Sequence, residues 1–138
     1  MKIGLGAIHE PDDERLQFAR QIGVEHLIIH SPELPGAEKG CWDFQGLVRL
    51  RTRIESVGLK LNAIENVPRS FYDKILEGRP GRDEQIDKMR RTITNIGRAG
   101  IPILGYHFML LGVWRTEYSP TGRGNAKVTK YDHALVEN

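Results

Sequence analysis

Apolar positions along this chain alternate between two patterns, one with a helical period and one too short and continuous to be a helix. In GRDEQIDKMRRTITNIGRAGIPILGYHF, residues 81–108, Ile86, Met89, Ile93 and Ile96 recur at i, i+3, i+7 and i+10. That spacing predicts a surface helix with one buried stripe, while Asp87, Lys88, Arg90, Arg91 and Arg98 fall mostly elsewhere. Asp83 and Glu84 put acceptors and negative charge where the helix begins. Gly100 follows the last apolar turn as a C-cap, and Pro102 keeps the helix from resuming. Ile103 to Tyr106 is then a short, nearly all-apolar run ending at polar His107. It reads as a strand covered on both faces.

The same order of signals occurs twice more. ARQIGVEHLIIH turns at Gly23 and rises to His30, and RIESVGLKLNAIEN turns at Gly58 and rises to Asn66. Helix, glycine, strand and polar residue therefore form a repeating unit of 35 to 42 residues. The run after each glycine is too short for a second helix, which disfavours an α-solenoid and favours parallel βαβ units.

The remaining elements follow from local signals. Lys2 to Ile8 reads as a first strand, with Gly4 and Gly6 allowing close backbone approach. Pro11, Asp12 and Asp13 open a helix that buries Leu16, Ala19 and Ile22. Residues 31–40, with Pro32, Pro35 and Gly36, form a surface loop. Asp43 caps a helix carrying Leu47, Leu50, Ile54 and Val57 inward and Arg49, Arg51 and Arg53 outward. Leu59 to Glu65 is the third strand, and a short helical piece lies near Phe71 to Leu76. Residues 109–138 read as a long excursion with no clear element before Tyr131 to Val136. The expected division of the single domain is a βα core over 1–108 and a loop or lid region over 109–138.

Four consecutive parallel strands in order 1-2-3-4 joined by right-handed crossovers put every helix on one face of the sheet. The other face is covered only if the sheet curls into a barrel. Closing one takes about eight strands and roughly 200 residues or more, so the fold class expected is α/β, about half of a TIM (β/α)8 barrel. A doubly wound sheet is disfavoured because GLGAIHEP lacks the third glycine of a dinucleotide fingerprint.

Composition narrows the function. The 138 residues carry a net charge of +2 with both signs interspersed, which gives no basic face for nucleic acid. No apolar run approaches the ~20 residues of a membrane span. The single cysteine, Cys41, cannot form an internal disulfide, and no signal peptide is evident at the N-terminus, so the expected compartment is the cytoplasm. Cys41 sits in a loop and reads as incidental.

In barrels of this kind chemistry collects at the C-terminal ends of the strands. Those ends hold His9, His30, Glu65 with Asn66, and Tyr106 with His107. Each has a plain structural reading: a strand-terminal His satisfies a hydrogen bond, and Glu65 caps a helix. Converging on one mouth, they suit a divalent metal or proton transfer, although no local metal motif is present. Beyond the fourth strand, Arg115 offers a planar fork for a carboxylate and Trp114 a surface on which a sugar skeleton stacks; the alternative is a solvated Arg beside a packing Trp. TGRGNAKVT, residues 121–129, is glycine-rich and basic, lacks the phosphate-loop pattern, and reads as a mobile lid.

LKLNAIENVP at 59–68, FYDKILEGRPGRDEQID at 71–87, IGRAGIPILGYHFM at 96–109 and GVWRT at 112–116 together resemble the D-mannonate dehydratase family of hexuronate (glucuronate) breakdown. The resemblance runs over nearly the whole chain and is most specific in PGRDEQI and AGIPILGY. It implies an N-terminal portion of a xylose-isomerase-like TIM barrel, a divalent metal, Mn2+ or Fe2+, and a hydro-lyase that converts D-mannonate to 2-keto-3-deoxy-D-gluconate. The family's chain is more than twice this long, and its His, Cys and Asp metal ligands belong to later strands. The resemblance therefore assigns no catalytic residue and no metal ligand here, and implies that this chain alone binds no metal and is inactive. It leaves Glu65, Asn66, His107, Trp114, Arg115 and, less directly, His30 as substrate-binding candidates.

Two functional readings follow. In one, the chain is a truncated or split dehydratase whose open edge strands make it self-associate or pair with a complementary half-barrel. In the other, it is a non-catalytic half-barrel subunit for binding or assembly. A sugar isomerase or an endonuclease-like metal hydrolase on the same barrel is disfavoured by the modest charge and by the quoted motifs. Neither nucleic acid nor membrane is an expected partner.

Overall fold

A computed structural model describes residues 2–107, 109–119 and 122–136. The chain divides into two compact units, one ending at His107 and one formed by the residues after it.

In the first unit the order is β1 (Gly4–Ile8), α1 (Asp13–Gln21), β2 (His26–His30), α2 (Phe44–Ser56), β3 (Lys60–Glu65), α3 (Asp73–Glu77), α4 (Arg82–Arg98) and β4 (Ile103–Gly105). The sheet runs β1-β2-β3-β4 with every pairing parallel, the sequential order from which a (β/α)8 barrel is built. The repeat seen in the sequence is real. Gly23, Gly58 and Gly100 adopt φ of 79°, 81° and 76°, the left-handed turn that lets each helix end reverse into the next strand.

Register separates the two faces of the sheet. Ile8, Ile29, Ile64 and Leu104 are partners across the four strands, and Leu5, Leu27 and Leu61 form a second such row. These rows share one core with Leu16 and Ala19 of α1, Leu47, Leu50 and Ile54 of α2, and Ile96 of α4. All three long helices therefore cover the same face, as the crossover rule requires. Side chains alternate along a strand, so Ile28, Ala63 and Ile103 lie on the opposite face. At β1 that face has room only for Gly6, whose Cβ would lie 2.7 Å from Ile28 Cβ.

Several expectations need correction. Ile103 is 49% exposed and Tyr106 75%, so β4 is not covered on both faces. It is an edge strand whose helix-free face is open. The buried side of α4 is Gln85, Thr92 and Ile96, whereas Ile86 and Ile93 are exposed. The helix is turned because polar atoms fix it: Gln85 Nε2 donates to Ser70 O (2.9 Å) and Asp73 Oδ1 (2.7 Å), its Oε1 accepts from Ile75 N (3.0 Å), and Asn95 Nδ2 donates to Trp42 O (2.8 Å). Periodicity that counts only apolar residues does not register such a face. Ile22 is likewise exposed at the end of α1. The expected caps differ in kind. Asp12 accepts from Arg15 N at 2.8 Å, but Asp43 at the start of α2 makes no side-chain cap.

The second unit is more ordered than its sequence suggests. β5 (Glu117–Ser119) and β6 (Val128–Lys130) pair antiparallel, and a single 3-10 turn covers His133–Leu135. Part of the segment expected to be a lid is thus a turn at Arg123–Asn125 and a strand; Thr121, its first residue, lies outside the described residues. Lys130 Nζ contacts Glu117 Oε1 at 2.6 Å and Asp132 Oδ2 at 3.7 Å. The Glu117 carboxylate, by hydrogen bond and charge, holds the Lys130 ammonium above its ordinary range.

Candidate site at the strand ends

One step past the buried row, register brings His30, Glu65 and Gly105 into line at the C-terminal ends of β2, β3 and β4. By alternation they belong to the face that carries no helix. His9 follows directly on Ile8, the β1 partner of Ile29, and its ring meets the His30 ring edge-on with centroids 4.5 Å apart. His30 Nδ1 lies 3.7 Å from Glu65 Oε1 and 3.5 Å from Asn66 Nδ2. Asn66 is buried and the other two are partly exposed.

The backbone holds this group in place. Asn66 takes φ of 64°, a left-handed conformation that Asn adopts more readily than most residues, and its N–H donates to Gly105 O at 2.9 Å. Ser31 N donates to Glu65 O at 3.0 Å, and Ser31 Oγ donates to Asn66 O at 3.4 Å. The ends of β2, β3 and β4 are thus laced together just where the polar side chains emerge. The group offers an imidazole, a carboxylate and a carboxamide within reach of one ligand, a set suited to the hydroxyls of a polyol and to holding a proton.

Of the nominated residues, the structure brings His30, Glu65 and Asn66 together. His107 lies two residues past β4, exposed and outside this hydrogen-bonded group. Trp114 and Arg115 belong to the second unit. There Arg115 Nε donates to Thr129 Oγ1 and Nη1 to Trp114 O, both at 2.8 Å, so the guanidinium is already oriented within that unit. Sequence reasoning places His9 at a strand end without nominating it, and misses Ser31. The signal for both was the polar pair immediately after each apolar run, HE after Ile8 and HS after Ile29.

A cavity of about 440 Å3 opens beside this group, lined by His9, Glu10, Pro11, Ser31, Pro32 and Glu33 among others. Its two carboxylates make it a poor receptacle for an anion. Among the described residues no three His, Cys, Asp or Glu side chains gather as a metal ion requires, and no helix is long and apolar enough to cross a membrane.

Comparison with known proteins gives one consistent result. The sequence model of the family described as D-mannonate dehydratase (UxuA) matches residues 5–138. A mannonate dehydratase of Thermotoga maritima is 34% identical over 91% of this chain and 34% of its own length. One from Streptococcus equi subsp. zooepidemicus is 36% identical over 99% of this chain and 38% of its own length. The crystal structure of mannonate dehydratase from Streptococcus suis serotype 2 superposes with a TM-score of 0.81 at 24% identity, covering 98% of this chain and 38% of that one. The chain spans little more than a third of the length of these relatives.

Proposed function

Because the chain belongs to the D-mannonate dehydratase family, we propose that it supplies the first four βα units of a barrel that dehydrates D-mannonate to 2-keto-3-deoxy-D-gluconate, a step of hexuronate breakdown in the cytoplasm. The reaction removes a proton from the carbon beside the carboxylate and expels hydroxide from the neighbouring carbon. Within it, the strand-end group of His30, Glu65 and Asn66 binds substrate hydroxyls. Arg115 and Trp114 take the carboxylate and the carbon skeleton. His107 is a further substrate contact.

The divalent metal implied by the family, Mn2+ or Fe2+, would stabilise the enolate-like charge. The resemblance puts the metal's ligands on later strands, so we assign this chain the part of binding and orienting, and turnover to a complete barrel. Exposed apolar residues lie on the outermost βα units: Ile3, Phe18 and Ile22 at one edge, Ile86, Ile93 and Ile103 at the other. These are the faces that further βα units, or a second copy of the chain, would cover. The same residues support the second reading, a non-catalytic half-barrel that pairs through its edges.

The match of the family over residues 5–138 carries the dehydratase reading. A chimera tests it, with this chain replacing the third of the Thermotoga maritima enzyme that it matches. D-mannonate-dependent formation of the 2-keto acid is expected. A chimera that melts cooperatively, retains its metal and shows no turnover overturns the reading.

A further inference from the structure

We propose that His30 Nδ1 is a two-partner switch, accepting from the Asn66 carboxamide when the ring is neutral and donating to the Glu65 carboxylate when it is protonated. In both states Nε2–H is then free to donate to a substrate oxygen. The use of that donor rests on the dehydratase reading; the switch itself does not.

Both partners address one nitrogen. Asn66 Nδ2 at 3.5 Å is a donor and needs the Nδ1 lone pair, whereas Glu65 Oε1 at 3.7 Å is an acceptor and needs Nδ1–H. A single imidazole nitrogen cannot serve both at once. The two distances are long and nearly equal, so neither partner holds the nitrogen to the exclusion of the other. Asn66 is buried, its main chain tied to Gly105 and Ser31, and the Glu65 main chain is set at the end of β3 by register with His30 and Gly105. The edge-on ring of His9, 4.5 Å away, confines the His30 ring.

The two ring orientations differ in what they face. The titratable groups around His30 on neighbouring elements are His9 after β1 and Glu65 on β3, with Glu10 and Glu33 lining the cavity that His9 and Ser31 share. β4 contributes only Gly105 to the row. A neutral Nδ1 presents a lone pair toward the carboxylate and is better turned to the amide; a protonated Nδ1 is better turned to the carboxylate. His30 is therefore a hydrogen-bond donor through Nε2 to a hydroxyl or carboxylate oxygen of a sugar acid, rather than a base at that atom. Beside the contacts to substrate hydroxyls proposed above, Asn66 and Glu65 set the tautomer of His30.

Nitrogen-15 NMR of the labelled chain reads this directly without turnover. In the neutral ring of the unaltered protein the Nε2–H tautomer should dominate, and the Asn66 side-chain amide resonances should move when the ring takes up a proton. Asn66→Gly removes the amide while tolerating the left-handed backbone, and should invert the neutral ring to Nδ1–H held by Glu65. Adding Glu65→Leu, which removes the acceptor, to Asn66→Gly should abolish that inversion. A neutral ring that is Nδ1–H in the unaltered protein, or a tautomer indifferent to Asn66→Gly in a chain that still melts cooperatively, overturns the proposal. An inactive chimera leaves these spectra untouched, so the two readings fail separately.

Discussion

Gln85 Nε2 lies 2.7 Å from Asp73 Oδ1 and joins the inward face of α4 to α3. The same side chain also bonds Ser70 O and Ile75 N, so one buried carboxamide satisfies three partners. Gln85→Ala leaves those groups unmet, and a loss of about 2–3 kcal/mol in urea unfolding is expected.

That contact also has a pH dependence. The hydrogen bond from Gln85 does most to hold the Asp73 carboxyl below its ordinary value, with the Lys74 backbone N–H and the Arg79 guanidinium adding to it. A group whose acidity is raised by folding contributes stability above its unfolded pKa and loses it as pH falls through the folded one. The stability difference between the unaltered protein and Gln85→Ala should therefore narrow as pH drops below about 4. Urea midpoints at pH 7 and in acid check this, and a constant difference contradicts it.

The hairpin responds at the other end of the scale. Lys130, raised by Glu117, contributes stability that is complete below the ordinary lysine range and lost as pH rises through the raised value. Amide exchange protection at Thr116 and Thr129 should fall as pH passes that range, after correction for intrinsic exchange. In Lys130→Met it should already be low at neutral pH.

Gly6 faces Ile28 with no space between strands for another carbon. Gly6→Ala should cost about 1–3 kcal/mol through overpacking. A thermal melt unchanged by this substitution would mean that β1 shifts freely against β2.

The exposed apolar residues of the edge units predict association. Replacing Phe18, Ile22, Ile86 and Ile93 by Lys or Glu should lower the mass found by light scattering. Such exposed changes should leave stability within about 0.5 kcal/mol each. Equal masses before and after would show that these faces are not what the chain uses to associate.

In the chimera, Arg115→Ala should raise KM or lower kcat about tenfold or more, the scale of one lost charge-assisted hydrogen bond at ~1.5–3 kcal/mol. Near-unaltered kinetics would remove Arg115 from the site.

Much of this fold was legible because the βα repeat is written in residues with little choice. Gly23, Gly58 and Gly100 must reverse the chain, and the short runs after them must be strands. The orientation of α4 was not legible, because Gln85 and Asn95 bury through hydrogen bonds to partners distant in sequence. Nor was the β5–β6 hairpin, whose three-residue strands are too short for a period to show. At the site, the residue types at the strand ends were readable from their order alone. That His9 should touch His30, and that Glu65 and Asn66 should meet at one nitrogen, depends on register.

The row Ile8–Ile29–Ile64–Leu104 and the residues one step beyond it, ending in His30, Glu65 and Gly105, sit on opposite sides of the same four strands. Descendants of this chain can therefore trade one reactive group for another without disturbing what keeps the protein folded. Gain or loss of a single residue within a strand would send oily groups to the mouth and charged ones to the interior. New specificities on this wall should arise by substitution, with length changes confined to the loops.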